Sequence, residues 1–81
     1  MTNLDKYTNA FATTFEIEAS SASELKYQSI DAWDSVGHMG LVAAIEDTFD
    51  IMLDTDDIVD LSSFKKGIEI LGKYNIEISE G

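Results

Sequence analysis

Three apolar stripes with spacings of three and four residues run through a chain of 81 residues that contains no proline. Leu4, Tyr7, Phe11 and Phe15 make the first, Leu41, Ile45 and Phe49 the second, and Phe64, Ile68 and Leu71 the third. Such spacing places each set on one face of an α-helix, and only Ile76-Glu77-Ile78 hints weakly at strand alternation. Without proline, the breaks between helices must come from glycine, small polar residues and caps. Thr2 or Asn3 is placed to cap the first helix, and Asp34 to cap a second running from about Ser35 to Phe49 or Asp50. Asp54 or Thr55 opens a brief helical turn towards Leu61, and Ser62 or Ser63 opens the last helix. Met39, Val42 and Ala43 widen the apolar face of the second helix to one side. Residues 16 to 34 lose the period: Glu18 to Glu24 reads as loop, and Leu25, Tyr27, Ile30 and Trp33 are scattered apolar anchors. Trp33 is expected to plug the core and pin that loop. The tail from Asn75 to Gly81 is expected to fray, with Ile76 and Ile78 as its docking residues. The expected fold is all-α: a small four-helix bundle of three main helices and one short one, with a long first loop.

A chain of this length forms one domain with a modest core and no deep active-site cleft. It starts at Met1 without tag, repeat or low-complexity tail, and is expected to be a complete small protein. Having no cysteine, it has no disulfide, thiolate nucleophile or thiolate metal site. No signal segment or apolar run of membrane-spanning length is present, so the cytoplasm is the expected compartment and membrane insertion is not expected. Sixteen acidic side chains against five lysines give a formal net charge of -11. That charge repels phosphate backbones, which argues against nucleic-acid binding, and it steers the chain towards basic patches on protein partners.

Few residues carry chemistry. Asp34, Ser35 and His38 are of the right types for nucleophilic catalysis, and Ser35 and His38 are neighbours at i, i+3. A triad needs its acid behind the histidine and its own oxyanion donors, and Asp34 cannot easily fill that role while capping the helix. The acids Asp54, Asp56 and Asp60 invite comparison with a calcium loop. The comparison fails, because Ile58 stands at position 5, Val59 at position 6 where glycine is required, and Lys65 at position 12 where glutamate is required. One histidine without a second does not make a transition-metal site. Ser35, taken alone, reads as an ordinary helix-start residue.

Its company changes that reading. The stretch Asp34-Ser35-Val36 to Phe49, with the acids and Ile58, Leu61, Phe64 and Ile68 beyond it, resembles an acyl carrier protein over about residues 4 to 74. Ile45-Glu46-Asp47-Thr48-Phe49, an apolar helix ending in an acid pair before phenylalanine, adds to the specificity of the match. The resemblance implies that Ser35 carries 4′-phosphopantetheine, delivered from coenzyme A by a phosphopantetheinyl transferase, and that Asp34 fixes the helix start and helps orient the serine. The arm's thiol then holds acyl groups as thioesters, so the protein itself is expected to catalyse nothing. Met39, Val42, Ala43 and Ile58 match the lining against which carried chains rest. Val36, Met39, Glu46, Asp47, Asp50, Asp56 and Asp57 match the surface read by acyl-transferring, condensing or adenylating enzymes with basic docking patches. A monomer is expected.

Three departures from carriers of fatty-acid synthesis point to a specialised pathway. Gly37 and Gly40 stand where acidic residues are common, Val36 where leucine is usual, and Ala32-Trp33 replaces a glycine-plus-small pair. Carriage of aminoacyl, peptidyl or polyketide intermediates is the alternative within the family. An acidic helical adaptor without a prosthetic group is the alternative outside it.

Overall fold

The three longer helices begin where a side chain can answer their unpaired amide groups. In the computed structural model, which describes residues 2–79, α1 (Asn3–Phe15) starts from Thr2, whose hydroxyl accepts from Asp5 N while the Asp5 carboxylate accepts from Thr2 N. Asp34 caps α2 (Ser35–Phe49), and Ser63 caps α4 (Phe64–Gly72) by accepting from Lys66 N at 2.9 Å. Between them lies the six-residue α3 (Thr55–Asp60), whose cap residue Asp54 makes no side-chain hydrogen bond to it. Both α1 and α2 stop at a residue in the left-handed region, Glu16 at φ 56° and Asp50 at φ 54°. The architecture is all-α, with no strand among the described residues and only an isolated bridge between Lys26 and Ser63.

The core is aromatic and centres on Phe11. Its ring lies 5.0 Å from Tyr7, 5.6 Å from Trp33, 5.0 Å from Phe64 and 6.1 Å from Phe15, mostly edge-on or tilted, the arrangements that ring quadrupoles favour. Leu41, Val42 and Ile45 close it from α2, and Leu61, Phe64, Ile70 and Leu71 from the chain's second half. Trp33 is completely buried and stacks on Phe15, so it does plug the core and pin the loop. The Tyr7 hydroxyl donates to the Phe64 carbonyl at 2.6 Å. Gly67 makes that possible, because a Cβ there would overlap the phenol oxygen.

Four local expectations need correction. Ala19–Glu24, read as loop, forms a 3₁₀ segment that buries Ala22. On α4 the inward set includes Gly67 and Ile70, while Ile68 is only half-buried. Met39 and Ala43 do not extend the buried face of α2, since both are exposed. The tail, expected to fray, is held up to Ile78: Ile76 and Ile78 dock on the core as expected, and Asn3 Nδ2 donates to the Glu77 carbonyl. Its last two residues, Glu80 and Gly81, lie outside the described part. No helix among the described residues is long and apolar enough to cross a membrane.

Candidate functional site

The first turn of α2 is built around backbone contacts. Asp34 Oδ1 accepts from Gly37 N at 2.8 Å, and the Asp34 carbonyl accepts from His38 N. Gly37 faces the Ala32 carbonyl so closely that any Cβ would overlap it. The loop therefore reaches the helix only because this residue has no side chain. Ser35 follows the cap directly, is exposed, and has its hydroxyl 3.3 Å from the Tyr27 phenol.

Tyr27 comes from the long loop, and its placement is set by the backbone. Tyr27 N donates to the Ser62 carbonyl at 2.8 Å and Phe64 N donates to the Leu25 carbonyl, which ties the loop to the α3–α4 link. A turn follows in which Ser29 Oγ accepts from Lys26 N and donates to the Lys26 carbonyl. Gln28, at φ 66°, donates its N–H to the Trp33 carbonyl. The result is a loop held at both ends, with the Tyr27 side chain reaching from the α3–α4 link to the start of α2.

His38 fastens three segments. Its Nδ1 accepts from the buried Trp33 indole at 2.9 Å, so the ring proton sits on Nε2, which donates to the Ile58 carbonyl at 2.7 Å. That carbonyl lies in the last turn of α3, where intrahelical donors have run out. With both nitrogens engaged this way and Ser35 bonded to Tyr27, the serine and histidine form no nucleophile–base pair here.

Beside these residues opens a cleft of about 290 Å³, lined by Tyr27, His38, Ile58, Val59, Leu61 and Ser62. Of the four lining residues expected from the sequence, only Ile58 belongs to it. Val42 is buried in the core, and Met39 and Ala43 face outward. Tyr27, Val59, Leu61 and Ser62 were not legible as a group, because no period links residue 27 to residues 59–62.

The acidic residues separate into free and engaged ones. Asp47, Asp50 and Asp56 are exposed. Glu46 is half-buried and accepts from Leu53 N at 2.8 Å, closing the link after α2. Asp57 is buried, which corrects its placement on the docking face. It pairs with Lys73 and accepts from the Tyr74 hydroxyl, which itself accepts from Asp54 N. The Lys73 ammonium and the Tyr74 hydroxyl hold the Asp57 carboxyl below the usual carboxylate range, and Asp57 in turn raises Lys73 and Tyr74. Asp34, Ser35, Val36 and Met39 thus gather at one end of α2, while Glu46, Asp47 and Asp50 lie roughly 17–22 Å along the helix. Val36 and Met39 are 82% and 54% exposed, an apolar patch next to the serine. Among the described residues no cluster of three or more histidines and acids has metal-binding geometry.

No family model, curated protein or solved structure matches this chain.

Proposed function

We propose that the chain is a carrier protein of the acyl carrier type, with Ser35 as the attachment point of a 4′-phosphopantetheine arm. The observation that carries this reading is the setting of Ser35: an exposed primary hydroxyl at the capped start of a 15-residue helix, with an apolar cleft alongside. Backbone N–H groups and the helix dipole favour negative charge there, which suits a phosphodiester. Attachment forms a bond from Ser35 Oγ to phosphorus and breaks the phosphoanhydride of coenzyme A. The adenosine bisphosphate leaves, and the hydroxyl proton passes to a base of the transferase. Once attached, the arm supplies a thiol that holds cargo as a thioester.

The uncharged start of α2 supports a specialised carrier. Gly37 is required by the Ala32 carbonyl, so an acidic side chain at that position is sterically excluded. Partners would meet Val36 and Met39 near the tether and the exposed acids Asp47, Asp50 and Asp56 further away. Efficient turnover of the loaded chain by fatty-acid synthesis enzymes would count against this specialisation, whereas charging by an adenylating enzyme would favour the aminoacyl alternative.

Intact mass after treatment with coenzyme A and a broad-specificity phosphopantetheinyl transferase is the direct test. The expected gain is about 340 Da on Ser35, absent in Ser35→Ala. A folded chain that gains nothing would sink the carrier reading and leave the acidic adaptor.

A further inference from the structure

Tyr27 is placed to do more than brace a loop. We infer that it is a positioning residue for the tether, and that the cleft beside it seats the arm's proximal, branched apolar segment. This inference rests on the carrier reading.

Three observations carry it. First, the Tyr27 phenol lies 3.3 Å from Ser35 Oγ, and once that oxygen is esterified only the phenol has a proton to donate. A phosphodiester on that oxygen places strong anionic acceptors within reach of the O–H, and no cation lines the cleft to compete for them. Second, the Tyr27 ring is fixed: it stands edge-on to Trp33 at 6.2 Å and to His38 at 5.5 Å, while its backbone is tied to Ser62. A donor held this way loses little freedom when it binds. Third, Tyr27 links the tether to the cleft, since its phenol reaches Ser35 Oγ and the residue also lines the cleft, whose apolar walls are Ile58, Val59 and Leu61. His38 contributes ring surface only, because both its nitrogens are engaged.

Position along the arm then selects the occupant. In the arm, a carbon bearing two methyl groups follows the phosphate closely, and the thiol lies at the far end. A cleft of about 290 Å³, one residue removed from Ser35 through Tyr27, is within reach of the dimethyl group before the rest of the arm. That volume is near the lower end for small-molecule sites and is enough for a short branched segment. Val59, 75% exposed, is the rim that such a group would cover.

The test uses the full chain loaded from coenzyme A, with ¹³C,¹⁵N-labelled protein and an unlabelled arm. Isotope-filtered NMR is expected to show contacts from the arm's methyl protons to the Tyr27 ring and to the Val59 and Leu61 methyls, with both arm methyls shifted upfield. Tyr27→Phe, which keeps the ring and packing, is expected still to load but to move the ³¹P resonance of the tether. Val59→Asp is expected to abolish the methyl contacts and leave that resonance in place. Arm methyls at their free coenzyme A positions in the wild type, or an unchanged ³¹P resonance in Tyr27→Phe, would overturn the inference. Absence of the mass gain itself overturns the carrier reading, and this inference falls with it.

Discussion

Two glycines three residues apart in α2 carry opposite expectations. At Gly40 an added Cβ would meet only Thr14 Cγ2, at an ordinary 3.6 Å. Gly40→Ala is therefore expected to stabilise the fold by about 0.5–1 kcal/mol through helix propensity and a less flexible unfolded chain. At Gly37 the same change drives a methyl into the Ala32 carbonyl, and about 1–3 kcal/mol of destabilisation is expected, as for an overpacked core. Urea unfolding of both variants checks the pair, and equal effects of one sign would refute the close approach. The sequence could say only that both are helix-interior glycines. Which one faces backbone depends on where the loop returns.

Asp57 is the second residue whose role changed. Its carboxyl titrates lower in the folded chain than in the unfolded one, because the Lys73 ammonium and the Tyr74 hydroxyl favour its charged form. The stability it contributes is thus complete above about pH 4, the unfolded value, and fades as pH falls towards the depressed folded value. Lys73 runs the other way: raised by Asp57, it contributes fully below about pH 10.5 and loses that contribution as pH climbs through its folded value. Asp57→Asn is expected to flatten the acid limb of a stability–pH profile below about pH 4. An unchanged acid limb would mean that the pair does not contribute.

At the scale of elements, α3 is the one that cannot stand alone. Six residues are far too few for an isolated helix. It is held by the His38–Ile58 bond, by Asp57 and Asp54 bonding to Lys73 and Tyr74, and by burial of Leu61 just beyond it. His38→Phe keeps an aromatic ring, though a larger one, but strands the Trp33 indole N–H in the core, at a cost of about 1–3 kcal/mol. Hydrogen exchange in this variant is expected to quicken across residues 55–61 more than in α1. Uniform acceleration would show that His38 stabilises the whole bundle and not this clasp. The element itself was readable from Asp54-Thr55 and the acids behind it. Its attachment was not, since residues 38 and 58 come from different helices.

For the whole molecule, a net charge of -11 is compressed into a body with a radius of gyration of 11.3 Å. Self-repulsion at that density is eased by counter-ions. Raising the salt concentration from about 0.02 to 0.3 M is expected to raise the thermal midpoint. A flat response would mean that the charges are already paired or too dispersed to matter.

The sequence by itself determined the three main helices, the residues able to cap them and the place of Ser35 at the start of the second, because these follow from local periodicity and near-neighbour hydrogen bonding. Trp33 as the core plug was equally legible, from size and apolarity in an otherwise polar stretch. Only the tertiary structure decided which groups surround the serine. Tyr27 reaches Ser35 because its backbone pairs with Ser62, and the cleft forms because His38 draws α3 to α2. Those contacts join residues 20 or more positions apart, or depend on a loop's return path. Periodicity carries no information about such closures; the packing of the aromatic core sets them.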